Sequence, residues 1–539
     1  MKINKYYIVL AISIFVFGLE ISEDYGISWD EGIQRIRGQK ALVYVANKLS
    51  PSNIKNIPTT LQGYNKFEGS GKYGAGRYGA IFDLPTALIE ELFFSDDLRQ
   101  AYLMRHKINW LFYFAGIIGF FFFSKLVFKT NKKAALATLF YILHPRLLAH
   151  GFFNPKDSIL QASVALSLYP LGKAYFEKNW KWFLIAGLAV GLSISTRIVT
   201  LYIPFLFVCF CILEILLLKE NAGVMFRKNM LNMIIFLIMT FSIVYLTWPI
   251  LWEDTVHNFL KILSIMKQYP WAGNNFFFGE YIRARDVDWY YIFVWVGITT
   301  PVFFLILWGL GIGVFLKSLF NKWNENNIFN GFMFAGFIVP VAAVILLKST
   351  LYDSWRHMFF IYPFLAYFMA KGLFFLSKVI NNKLNIEKRT IIIILGVLIF
   401  STPVYSIIRM HPYQQVYFNS LAGKDPMLNF EGDYLGLSYR RGFEWILEND
   451  DRDTIKVLST IGWGNRHLLL NHDRKRLQLI KHDWPRKSAF REGDYYVTNF
   501  RGYQPDEYRK ATNKEFPFNH EVFSVNIRGM KILGVYRLH

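Results

Sequence analysis

The sequence predicts an α-helical polytopic membrane protein with about eleven transmembrane helices, followed by a small C-terminal α/β domain outside the membrane. Three observations carry this reading: composition, the length of the apolar runs, and the placement of positive charge. Of 539 residues, 53% are hydrophobic and 18% charged, with 52 Phe and 15 Trp, and the mean hydropathy is +0.24. Such a chain is largely solvated by lipid, which excludes a disordered, fibrous or ordinary cytosolic protein. The formal charge is +21, from 60 Lys+Arg against 39 Asp+Glu. In a soluble chain that excess points to nucleic acid. Here it sits in short loops between apolar runs, so the bilayer is the expected partner and nucleic acid is not.

Apolar segments long enough to cross a ~30 Å hydrocarbon core fall near 6–22, 107–128, 134–152, 157–174, 181–196, 198–218, 229–250, 289–316, 328–347, 355–377 and 390–409. The third and fourth, and the fifth and sixth, are so closely spaced that each pair also reads as one broken or tilted helix. Lys2 and Lys5 precede the first segment as in a secretory signal. No small-residue cleavage site follows, and Glu20, Glu23 and Asp24 stand in its place, so a retained helix is expected.

Orientation follows from counting, because positive charge stays on the cytoplasmic side of short loops. With the N-terminus inside, the inner segments are 1–5, 125–133, 173–181, 219–228, 317–325 and 371–389, and they hold 19 Lys/Arg against four acids. The remaining residues up to 409 are nearly balanced. Eleven crossings then put loops 23–106 and 251–288 and the tail 410–539 outside, in a multi-pass protein of the cell (inner) membrane. Residues 1–409 form the expected membrane domain. The tail is far richer in charge than the rest. A helix at 438–449 and β-rich runs at 455–462, 494–500 and near 521–527 suggest an α/β module.

Two features point away from other functions. Gly74-Ala75-Gly76-Arg77-Tyr78-Gly79 fits a dinucleotide fingerprint, but neither a preceding strand nor a βαβ unit surrounds it, and a tight external loop is expected instead. Cys209 and Cys211 lie two residues apart in one apolar run, which suits neither a structural disulfide nor a metal site.

The informative residues are polar ones at the outer ends of the spans. Asp30 and Glu31 follow the first span, in Ser28-Trp29-Asp30-Glu31; an S-x-x-E capping box at the start of an amphipathic helix running to about Leu49 is the simpler explanation. Asp157 follows the loop from His144 through His150 to Lys156, and it too has the position of a helix cap. Arg197 stands in a two-residue break, where snorkelling to head groups is the simpler alternative. The cluster Asp353-Ser354-Trp355-Arg356-His357 opens the tenth span. Ionisable groups at membrane depth are costly and usually face a cavity or a partner. Acids and cations meeting on one face of a bundle suit transfer from a lipid phosphate. A carboxylate takes the proton of an acceptor hydroxyl, while a cation offsets charge on the departing phosphate.

These residues resemble a known family. The acidic pair Asp30-Glu31 after the first helix, YGAIFDLPTAL before the second, Pro155-Lys156-Asp157 opening the fourth, Thr196-Arg197 between the fifth and sixth, and RHMFFIYPF at 356–364 occur in the order found in GT-C glycosyltransferases. Within that superfamily the chain resembles the protein O-mannosyltransferases and lipid A aminoarabinose transferases, which use polyprenyl-phosphate sugars. HPYQQVYFNSLAG (411–423) and FEGDYLGLSYRRGFEWIL (430–447) are similar to the tails of bacterial members. The resemblance implies inverting transfer of a hexosyl or pentosyl group from a polyprenyl-phosphate sugar to a glycan, lipid or protein acceptor outside the cell. It implies a general-base role for Asp30 supported by Glu31, an acceptor or active-site loop with Asp157, Lys156 and His150, and donor-phosphate binding by Arg197, Arg356 and His357. A protein acceptor is not specifically implied, because the insertions of the eukaryotic protein mannosyltransferases are not evident. Members differ in metal dependence; the sequence shows no ligand spacing, so a divalent metal is left open but not indicated, and the lipid-linked donor is the one further molecule implied. The competing readings are a lipid-linked saccharide flippase, for which inverted repeats and broken helices at the midplane are expected, and a non-catalytic scaffold displaying the tail.

Overall fold

Local side-chain caps set several of the helix starts in the computed structural model. It describes residues 4–49, 75–218, 222–267, 269–384, 388–459, 461–481, 490, 493–503, 505–512 and 518–539. The Lys5–Ile21 helix opens on Asn4, whose side chain accepts from the Tyr6 N–H at 3.2 Å. Its flank leaves Val9, Ile12, Val16 and Phe17 exposed, an apolar surface suited to lipid. Among the described residues, seven helical stretches are long and apolar enough to cross a membrane. They are Lys5–Asp24, Leu98–Phe128, Ile198–Leu218, Asn229–Thr247, Glu325–Leu346, Arg356–Asn381 and Ile393–Met410. The Trp180–Thr196 and Val302–Ser318 helices are apolar but shorter. Asp157–Glu177 is long enough, yet it carries Gln161, Ser163 and Ser167 and is buried among its neighbours. The chain is a polytopic helical membrane protein.

Two expected spans are interrupted. The segment near 134–152 divides into Asn131–Ile142 and Pro145–Phe153. Pro145 has no N–H to continue the first helix, and His144 Nδ1 caps the second by accepting from the Leu147 N–H at 3.4 Å. The segment near 289–316 divides at Pro301 into Tyr291–Thr299 and Val302–Ser318. Asn419 occupies that break: its side-chain amide donates to the carbonyls of Gly297 and Thr300, both at 2.6 Å. Helix ends left without partners inside a bundle are costly, so the asparagine makes this break tolerable. Close crossing of Val302–Ser318 and Tyr362–Leu384 depends on Gly311 and Gly372, since a Cβ on either would run into the backbone carbonyl of Phe368 or Leu307.

The C-terminal domain is the expected α/β module with more strands than the sequence suggested. Its sheet comprises β3 (Ile455–Ser459), β4 (Leu477–Lys481), β5 (Tyr495–Thr498), β6 (Glu521–Ile527) and β7 (Met530–Arg537), in the order β4-β3-β5-β7-β6. β3 is parallel to β4 and β5, whereas β7 is antiparallel to β5 and β6. The Tyr439–Asn449 helix lies on this sheet, with Gly442 against Leu533, Val497 and Val535. An unforeseen hairpin, β1 (Asn274–Phe277) with β2 (Glu280–Arg283), occurs in loop 251–288, and Gly279 N–H donates to the Asn429 carbonyl at 3.2 Å.

The domain also grips the turn leading to Asp30. Asn465 accepts from the Ile27 N–H at 2.8 Å and donates back to the Ile27 carbonyl, while Trp29 N–H donates to the Leu435 carbonyl at 3.0 Å.

Candidate active site

Asp30 lies in the first turn of the Trp29–Leu49 helix, and Ser28 and Glu31 explain why that helix begins there. Glu31 Oε1 accepts from the Ser28 N–H at 2.6 Å, which is half of the expected capping box. Its other oxygen pairs with His106 Nε2 at 2.8 Å, and the Glu31 side chain is buried. The cap is therefore the work of Glu31. Asp30 keeps its carboxylate for long-range partners and is 25% exposed.

Those partners form a chain of ion pairs. Arg356, almost wholly buried, pairs through Nη1 with Asp30 and lies 3.4 Å from Asp157 Oδ2; its Nη2 donates to Asp353 Oδ2 at 2.9 Å. Asp157 Oδ1 pairs with Arg197 at 2.7 Å. Asp353 Oδ1 pairs with Arg501, from the C-terminal domain, at 2.5 Å. Asp157 is fixed locally by Asn154, which accepts from the Asp157 N–H and donates to its carboxylate. Burial opposes ionisation of Asp30, but the Arg356 guanidinium outweighs it and holds the carboxyl below its ordinary range. Asp30 is consequently a carboxylate at neutral pH.

The remaining expected residues sit around this cluster at different distances from it. His150 Nδ1 meets the Asn154 amide at 2.9 Å and its Nε2 faces the Tyr434 hydroxyl at 3.3 Å, placing it behind Asp157. Lys156 lies over the ring of Tyr78, as does Arg37, whose guanidinium is 4.7 Å from the ring centre. Burial, reinforced by the charges of Arg37 and Arg197, pushes the Lys156 ammonium well below its ordinary range. His357 packs edge-on against Tyr352 with ring centres 4.4 Å apart. Tyr78 stands out in the sequence only as part of the glycine motif and YGAIFDLPTAL, and Asn154, Arg37 and Arg501 do not stand out. No spacing signal marks them, since they come from distant segments.

Beside the cluster opens a cleft of about 690 Å³. Its lining combines the polar side chains of Arg197, His357, Tyr78, Tyr269 and Tyr352 with the apolar ones of Ile198, Val199, Met266 and Val344. The glycine motif builds part of this lining. Gly74 lies outside the described residues, but Gly79 seats on Ser195, where a Cβ would overlap the serine carbonyl and hydroxyl. Trp248 Nε1 donates to the Gly76 carbonyl at 2.9 Å, and Ala80 N–H to the Thr247 carbonyl at 3.0 Å. These glycines dock a loop that carries Tyr78 into the cleft.

On the far side of Asp353 is Glu431, buried and lining a smaller pocket with Arg501. Burial pushes its carboxyl up to about 7, against the opposing pull of Arg501.

Across its full length the chain aligns with the crystal structure of ArnT from Cupriavidus metallidurans bound to undecaprenyl phosphate. The identity is 12%, the coverage 99% of this chain and 98% of that one, and the TM-score 0.44. No curated protein matches the chain. Residues 87–248 match the model of the family described as dolichyl-phosphate-mannose-protein mannosyltransferase, a stretch that holds His150, Lys156, Asp157 and Arg197. Over that stretch the chain resembles the GT-C glycosyltransferases of the dolichyl-phosphate-mannose-protein mannosyltransferase family.

Proposed function

We propose that the chain is an integral-membrane glycosyltransferase that moves a sugar, with inversion, from a polyprenyl-phosphate donor to an acceptor on the outer face of the cell membrane. The observation that carries this reading is the shared guanidinium of Arg356, which pairs with Asp30 and approaches Asp157 beside a cleft lined by both polar and apolar side chains. A lipid-linked donor has matching halves. Its tail fits Ile198, Val199, Met266 and Val344, and its phosphate reaches Arg197 and Arg356.

The chemistry follows from the charges. A phosphate entering between Arg197 and Arg356 competes with Asp30 for Arg356 Nη1, which releases the carboxylate toward the acceptor. The acceptor oxygen then attacks the anomeric carbon as its proton passes to Asp30. The bond from that carbon to the phosphate oxygen breaks, and the electron pair leaves on the phosphate, where the two guanidiniums offset it. Asp157 keeps both arginines in place during this exchange, since it pairs with Arg197 and lies within reach of Arg356.

Purified chain in nanodiscs, mixed with undecaprenyl phosphate and then with synthetic undecaprenyl-phosphate sugars, tests the reading. Saturable binding of undecaprenyl phosphate, weakened by Arg197→Ala, is the expected result. Absence of binding by the wild type would overturn it.

A further inference from the structure

Arg501 follows β5 and reaches the buried cluster from the C-terminal domain. Its Nη2 pairs with Asp353 Oδ1 at 2.5 Å, and its Nη1 donates to the Tyr434 carbonyl. Asp353 is thereby held between two guanidiniums, because its Oδ2 accepts from Arg356 Nη2 at 2.9 Å.

The loop carrying Asp353 is strained. Asp353 and Ser354 have φ of +58° and +68°, a left-handed conformation unfavourable for L-residues with a side chain. Several contacts enforce it. Asn275, on β1, accepts from the Asp353 N–H at 3.1 Å and donates to the Leu351 carbonyl at 2.8 Å, while Arg146 approaches the Ser354 hydroxyl at 3.5 Å. The fold thus holds an unfavourable backbone in order to present one carboxylate to two arginines. A guanidinium is planar and its donors form a rigid fork, so fixing Nη2 also fixes where Nη1 points.

We propose that Arg501 is a positioning residue: by clamping Asp353 it aims the Arg356 fork at Asp30 and Asp157, so that the C-terminal domain completes the donor-phosphate site without touching the donor. The inference rests on the reading that Arg356 meets that phosphate. The charged groups facing Arg501 are Asp353, Glu431 and Arg356. Those facing Asp30 are Arg356, Asp157 and Lys156. Without Arg501, the two oxygens of Asp353 are left to one cation. The favoured arrangement is then a side-on pair with both Arg356 nitrogens, which draws Nη1 away from Asp30 and Asp157.

Binding of undecaprenyl phosphate to the full chain in nanodiscs tests this, using wild type, Arg501→Ala, Arg501→Lys, Asp353→Ala and the Arg501→Ala/Asp353→Ala double variant. Each alanine change is expected to weaken binding about tenfold, within the range for partners in one ion-pair network. The double variant should bind no more weakly than the weaker single one, since Arg501 acts through Asp353. Arg501→Lys should fall between wild type and alanine, and it preserves a readout if the alanine variant does not fold. Wild-type affinity in Arg501→Ala, or single losses that multiply in the double variant, would overturn the inference while leaving the donor reading intact. A wild type that does not bind undecaprenyl phosphate overturns both.

Discussion

Arg356 and Asp30 form an ion pair between residues 326 positions apart in the chain. The same guanidinium nitrogen lies within 3.4 Å of Asp157, so one cation spans two acids from separate helices. An anion that competes for Arg356 meets an Asp30 that the pair holds ionised.

Asp30→Asn separates chemistry from capping. Loss of a general base costs about 10²–10⁴-fold in rate, and the asparagine leaves the Glu31–Ser28 cap untouched. Transfer should fall by that factor per folded molecule, while the weakened Arg356 pair lowers the thermal midpoint, which is measured separately. Glu31→Gln should do the reverse in its first effect, lowering stability by about 1–3 kcal/mol through the lost His106 partner. Near-wild-type turnover in a folded Asp30→Asn protein would remove Asp30 from the mechanism.

Arg356→Lys retains the charge but not the fork that reaches Asp30 and Asp353 together. Single-turnover transfer should rank wild type above lysine and lysine above alanine, with the deficit in the chemical step. Equal rates in equally folded variants would contradict a role at the donor phosphate.

Glu431 makes stability depend on pH. Its folded-state value of about 7 lies above the ordinary 4.5, so its carboxyl is protonated in both states in acid and its stabilising contribution is fully present there. As pH rises from about 4.5 through 7, the unfolded state releases the proton first and that contribution is lost. Glu431→Gln does not titrate. Its thermal midpoint should gain on the wild type steadily between pH 5 and 8; a constant difference across that range would argue against the shift.

Topology is open to labelling. A cysteine at exposed Asp451, in a chain with Cys209 and Cys211 replaced by alanine, should react with a membrane-impermeant maleimide on intact cells. Reaction only after lysis would reverse the orientation and place the cluster on the cytoplasmic side.

The membrane architecture was legible in the sequence because lipid imposes a one-dimensional rule, that an apolar run of sufficient length becomes a helix, and among the described residues the seven candidate spans lie on seven of the eleven expected runs. The breaks at 143–145 and 300–301 are written locally too, in Pro145 and Pro301, although the Asn419 side chain that satisfies the second break comes from far along the chain. Motif order picked out Asp30, Asp157, Arg197 and Arg356 as candidates, and the fold joins the four in one network of ion pairs. It did not separate Glu31 from Asp30, since adjacent helical residues point in different directions and only packing turns Glu31 toward His106. Asp353 sat in a noted cluster, but its conformation needs Asn275, and its second partner Arg501 belongs to another domain. Ion pairing across such separations leaves no periodicity in a sequence. It is decided when helices, hairpin and sheet bring their charges into one buried space, where each carboxylate must find a cation.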